Sequence, residues 1–199
     1  MKLRETDLLV NRLHTTKERI IHRDRIKAFT SHPLEEALRA LRRHGWISYV
    51  FEGYYYVLDA DERYGRYTNY TDTEMLFATL NKRKHTWYLG LSGALERHGL
   101  VWQSHRTITI VTTSLSGRRK IRDLDVRFKR LRDDYFFGYE SYRTKNRITT
   151  YYSDKEKTLI DYAYFNMKAP LELREAVNPA TVASYLKNYP AAIKKRVLV

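Results

Sequence analysis

The sequence predicts an α+β chain built in two parts, residues 1–58 and 73–199, joined by a polar linker over 59–72. Two observations carry this. Apolar residues recur at helical spacing up to Arg43 and give way at Trp46 to runs rich in β-branched and aromatic residues. Beyond Thr71, helix-start signals and alternating segments follow one another, as in a mixed α/β domain.

Leu8, Leu9 and Leu13 predict a first helix over about residues 4–13. Ile20-Ile21 is a short apolar approach to a second helix over 23–29, with Ile26 and Phe29 inward. Ser31-His32-Pro33 offers a capping side chain and a first-turn proline to a third helix. There Leu34, Ala37, Leu38 and Leu41 recur at i, i+3, i+4 and i+7, and Gly45 supplies a left-handed stop. Arg39, Arg43, Glu35 and Glu36 fall on the opposite face.

Two strand-like runs, 46–51 and 54–58, flank Glu52-Gly53 and read as a hairpin. Three short helices followed by a hairpin is the order of a winged helix-turn-helix, whose third helix enters the major groove and whose wing touches backbone or minor groove. The candidate DNA-contacting residues here are His32, Glu35, Glu36, Arg39, Arg42, Arg43 and Tyr49. The same pieces also suit a small α+β domain that binds protein and reads no DNA sequence.

Residues 59–72 are polar and without period. Thr71-x-x-Glu74 is a capping box opening a helix over Met75, Leu76 and Leu80, and a second helix is expected over Tyr88–Arg97. Strands follow at 107–113, 124–129 and 147–152, the middle one alternating so that Leu124, Val126 and Phe128 face a core. Ser153-x-x-Glu156 reads as a capping box for a helix through Leu159, Ile160 and Ala163, and Pro179 opens a last helix toward Tyr189.

The 199 residues carry 37 Lys and Arg against 23 Asp and Glu, a formal charge of +14, which favours polyanionic partners. Arg118, Arg119, Lys120, Arg127 and Lys129 crowd one segment of the second half, with Arg122 among them, and are candidate contacts to DNA backbone or to an acidic protein. No apolar run is long enough to span a membrane, and the first residues are too charged for a signal peptide, so a cytoplasmic protein with no membrane partner is expected. Cysteine is absent, and none of the seven histidines sits at ligand spacing, so no metal site is expected.

No enzyme and no cofactor are expected either. Gly90-Leu91-Ser92-Gly93-Ala94 is one glycine short of a G-x-S-x-G elbow and lies where a helix is expected. No Asp or Glu precedes a Lys by two residues, as a metal-dependent nuclease core would require. Asp133-Asp134 and Asp123-x-Asp125 read as a solvated turn and strand face, and no phosphate-binding glycine loop is present.

Three segments resemble a known family: Arg42–Ile47 with Glu52–Leu58, then Tyr88–Leu100, then Ser153–Asp161. In content and order they resemble the AbiEi-type antitoxins of abortive-infection (type IV) toxin-antitoxin systems, transcriptional regulators to which this chain is similar over most of its length, though shorter at the C-terminus than many. The resemblance implies an autorepressor that binds double-stranded DNA at its own promoter and is encoded beside a nucleotidyltransferase-like toxin. The second domain is expected to form a homodimer, to meet DNA through its basic strand, or to engage a toxin.

Overall fold

The computed structural model describes residues 3–83, 86–101 and 107–198. It is α+β, with helices and two sheets among the described residues, and divides into two compact units, Met1–Arg83 and Lys84–Val199. No helix among the described residues is long and apolar enough to cross a membrane.

The first unit runs α1 (Leu3–Thr15), β1 (Ile20–His22), α2 (Arg23–Lys27), α3 (Leu34–Arg43), β2 (Ile47–Phe51), β3 (Tyr54–Val57), α4 (Ala60–Gly65) and α5 (Asp72–Lys82). The buried stripe of α1 is Thr6, Leu9, Val10 and Leu13, again i, i+3, i+4 and i+7, while Leu8 points away and is 58% exposed. Leu9, Val10 and Leu13 pack with Ile26 of α2, with Ala37, Leu38 and Leu41 of α3, and with Ile21, Ile47, Tyr55 and Val57. Ile20-Ile21 is more than an approach to a helix. Both residues are buried in an edge strand that pairs antiparallel with β3, giving the sheet order β1-β3-β2.

Helix α3 starts at Leu34 with Pro33 as its N-cap and no side-chain cap bond, so the cap expected from Ser31 or His32 is not made. The proline, at φ −52°, sets the entering chain instead. At the other end Gly45 takes φ +73°, its N–H donates to the Arg42 carbonyl at 3.0 Å, and that of Trp46 reaches Leu41 at 2.9 Å, a Schellman-type stop.

The stretch expected to be a linker is instead part of this unit, anchored to it through one buried residue. Asp59 and Glu62 form a capping box at the start of α4, and Glu62 is fully buried. Its carboxylate accepts from Arg19 at 2.5 Å, from the backbone N–H groups of Asp59 at 2.9 Å and Asn69 at 2.6 Å, and from the Tyr56 hydroxyl. Burial and then the bond to Glu62 push the Tyr56 phenol far up. Helix α5, capped by Thr71 and Glu74 as expected, also falls in this unit, so the division lies after Arg83 rather than at residue 72.

The second unit runs β4 (Trp87–Leu89), α6 (Ser92–Arg97), β5 (Thr107–Thr112), β6 (Gly117–Ile121), β7 (Leu124–Arg130), a single 3₁₀ turn (Asp133–Tyr135), β8 (Tyr139–Arg143), β9 (Thr149–Ser153), α7 (Lys155–Tyr164), α8 (Leu171–Ala176), α9 (Pro179–Leu186) and α10 (Ala191–Leu198). The sheet order is β6-β7-β5-β4-β9-β8, with β5–β7 and β4–β9 parallel and the other pairs antiparallel. Leu159, Ile160 and Ala163 of α7 pack with Leu173, Val182, Leu186 and Ile193 of the helices that follow.

The helix expected over 88–97 is confined to α6, because Trp87, Tyr88 and Leu89 are all buried as a strand between β5 and β9. Gly90 makes the tight exit from this strand, since a Cβ there would lie 2.5 Å from Val111 Cγ2. The cap of α7 is Asp154, which accepts from the Lys157 N–H at 2.6 Å, and not Ser153, which ends β9. Pro179 opens α9 behind the N-cap Asn178, but that helix stops at Leu186 and α10 follows as a separate element.

Inside this unit Asp161 accepts from the Tyr88 hydroxyl at 2.7 Å and pairs with Lys157, both charged residues being wholly buried. Burial lifts the Asp161 carboxyl and depresses the Lys157 ammonium, while their mutual attraction opposes both shifts. Removing one partner strands the other. Lys157→Met alone is expected to lower stability by about 3–5 kcal/mol, and adding Asp161→Leu with Tyr88→Phe to restore most of it. Urea unfolding of the single and triple variants checks this; equal losses in both would show that the pair contributes packing and not charge compensation.

Candidate nucleic-acid interface

Helix α3 turns Leu34, Ala37, Leu38 and Leu41 inward, which leaves Glu35, Arg39, Arg42 and Arg43 exposed and Glu36 half-buried. Several of the expected contact residues are already committed. Glu35 takes the Arg23 guanidinium at 2.7 Å, His32 Nε2 lies 3.2 Å from the Glu5 carboxylate, and Arg42 Nε bonds the Leu38 carbonyl at 3.3 Å. Arg39 and Arg43, one helical turn apart, make no hydrogen bond or ion pair with any described residue. Arg23, which holds Glu35 in place, is a member of this surface that periodicity did not mark, because it lies outside α3.

The hairpin presents its flank rather than its tip. Glu52 and Gly53 both adopt positive φ at the turn, Glu52 is ion-paired with Arg83, and the Gly53 carbonyl accepts from the Arg23 N–H at 2.8 Å. A Cβ on Gly53 would lie 3.0 Å from His22 Nε2, so the turn sits closely on the start of α2. Tyr49, 49% exposed and edge-on to Tyr55, is the aromatic ring offered on the flank.

In the second unit the basic segment precedes the strand expected at 124–129 and is itself a strand: β6, an exposed edge of the sheet. Its register with β7 sets Arg118 opposite Arg127, Arg119 opposite Val126 and Lys120 opposite Asp125. Arg118, Lys120, Arg127 and Lys129 therefore share one face, while Arg119 points to the other. Asp125 lies 3.8 Å from Lys120, and the Lys129 ammonium stands over the Phe165 ring at 5.1 Å. Arg118 and Arg127 have no partner among the described residues.

The acidic and nucleophilic candidates are dispersed. Asp134 pairs with Arg132 at 3.0 Å, and no group of three or more His, Asp or Glu side chains gathers among the described residues. His85 and His105 lie outside those residues. The Gly90–Ala94 segment is the turn out of β4 and the start of α6, not the helix interior expected, yet the left-handed position is held by buried Leu91 (φ +52°). Ser92 Oγ lies 3.4 Å from the Thr109 hydroxyl, and His98 is bonded to the Ser153 carbonyl at 2.9 Å. The segments Tyr88–Leu100 and Ser153–Asp161 thus meet through Tyr88–Asp161 and His98–Ser153 as a packing centre.

No family model matches the chain, and the comparison with curated proteins finds no match either. Among solved structures the chain is similar in fold to the RV2827C protein from Mycobacterium tuberculosis, with a TM-score of 0.64 and 13% identity over 99% of this chain and 76% of that one.

Like charges directly opposed on neighbouring strands repel. Arg118→Thr is therefore expected to stabilise the protein by about 0.2–1 kcal/mol at low salt, an effect that fades as ionic strength rises. Thermal melts at two salt concentrations measure it; a salt-independent loss of stability would mean that Arg118 contributes packing to the edge strand.

Proposed function

We propose that this chain is a sequence-specific DNA-binding transcriptional regulator of the antitoxin type, in which α2 and α3 act as a helix-turn-helix and β2–β3 as the wing of a winged helix. The observation that carries the reading is the uncommitted pair Arg39 and Arg43 on the outward face of an amphipathic helix whose neighbouring charges are tied down. A guanidinium free of internal partners is available for the bidentate bond to guanine O6 and N7 that specifies a base in the major groove. Arg23 keeps Glu35 from repelling phosphate, and Tyr49 on the hairpin flank is placed to lie along the sugar-phosphate backbone.

In this reading the chain represses its own promoter, turns over no substrate and needs no cofactor. A homodimer would read two half-sites spaced by a helical turn of DNA, and a nucleotidyltransferase-like toxin is the expected protein partner.

Gel shift with the chain's own upstream DNA, in excess nonspecific DNA, tests the reading. Arg39→Ala and Arg43→Ala are each expected to weaken specific binding by about 1–3 kcal/mol with unchanged melting temperature. Parental affinity in both variants would remove α3 from the groove, and no specific binding by the parent would leave a winged fold that binds protein.

Phosphate contacts are counted by salt. Replacing Arg118 and Lys120 together is expected to flatten the dependence of log K on log salt by about 1.8, whereas Arg119→Ala, on the other face, leaves it unchanged. A slope unaltered by the first pair would take the β6–β7 face off the DNA.

A further inference from the structure

Helices α7, α8, α9 and α10 enclose two adjoining hollows of about 680 and 500 Å³, open to solvent and separate from the basic face of β6 and β7. Leu159, Arg174 and Val197 line both, so the two form one groove with a shared ridge. The floor is apolar, with Ala163 and Met167 in the larger hollow and Val182 and Leu186 in the smaller. The charged side chains around it are all cationic: Lys168, Arg174, Lys187, Lys194, Lys195 and Arg196, with no carboxylate lining either hollow among the described residues. Lys168, Arg174 and Lys195 have no hydrogen-bond or ion-pair partner there.

Six cations around an apolar floor repel one another and are offset by no acid of the groove itself, so the complementary occupant is both anionic and apolar. Duplex DNA offers charge but no side chain for the hollows. A single acyl chain fills one hollow and leaves the shared ridge uncrossed. Two hollows side by side under a basic rim suit a helix that carries apolar anchors at i, i+3, i+4 and i+7 and carboxylates on its flanks.

We infer that the groove bounded by α7–α10 is a docking site for an acidic amphipathic helix of a partner protein. This goes beyond the DNA-reading role of α3 and stands or falls without it. Apolar anchors seated on Leu159 and Val197 supply the buried area, and the cations of the rim select acidic partners and orient them.

The test uses the full chain and a fluorescein-labelled helical peptide with Leu at the four anchor positions and Glu at the others, read by fluorescence polarisation. The peptide is expected to bind. A version with Ser for every Leu and one with Lys for every Glu are each expected to bind at least about tenfold more weakly. Ala192→Trp, which fills the larger hollow from an exposed position without changing charge, and Lys168→Glu with Lys195→Glu are each expected to weaken binding at least about tenfold while circular dichroism and melting temperature stay unchanged. Equal binding of the Ser peptide would reduce the site to a general polyanion surface and overturn the inference. So would binding insensitive to Ala192→Trp, or no binding by the parent peptide. Sensitivity to Ala192→Trp seen with duplex DNA or dodecanoate in place of the peptide would assign the groove to that ligand instead.

Discussion

A charge withdrawn from water must be compensated where it is buried, at a cost of several kcal/mol if it is not. Each unit of this chain accepts that constraint most fully at one wholly buried carboxylate. Glu62 is compensated by Arg19, Tyr56 and two backbone N–H groups, and these partners come from the residue before β1, from β3, from the cap of α4 and from the loop after it. Satisfying one carboxylate therefore joins four stretches of chain and carries the first unit past its hairpin. Asp161 does the same for the second unit, binding α7 to Tyr88 in the middle of the sheet.

With the buried charges paired internally, the excess of cations is carried at the surface, and its distribution is uneven. On α3 the ion pair of Arg23 with Glu35 and the back-bond of Arg42 leave Arg39 and Arg43 as the guanidiniums without internal partners. On β6 the cations occupy an edge strand, where a row of unpaired backbone groups would otherwise invite another strand to add. Charge there guards the edge against aggregation at the same time as it offers a face to a polyanion, and the opposition of Arg118 to Arg127 is a cost of holding that density. The groove of α7–α10 differs from both in having an apolar floor beneath its cations.

Much of this was legible beforehand wherever a signal is local. Thr71 and Glu74 make their capping box, Gly45 takes the left-handed stop, Pro179 begins its helix, and the alternation of Val126 and Phe128 faces a core. Asp59-x-x-Glu62 carried the same signature as Thr71-x-x-Glu74, but the polar residues around it concealed a helix whose reason for folding is the buried Glu62. Of the candidate surface, the sequence marked Arg39 and Arg43 as outward, yet could not tell that His32 and Glu35 were already engaged, since their partners Glu5 and Arg23 lie on other elements.

Local pattern was enough for the helical stripes, the caps and stops, the hairpin and the longer strands, because each depends on residues within a turn or two of one another. Contacts between distant stretches of chain make Trp87–Leu89 a strand, set Arg118–Lys120 on an edge of a sheet with Arg119 reversed, and extend the first unit to Arg83. Strands of three to five residues such as β1, β4 and β6 have too little pattern of their own. Their conformation is set by backbone pairing with distant partners, and a buried carboxylate finds its donors in space rather than in sequence.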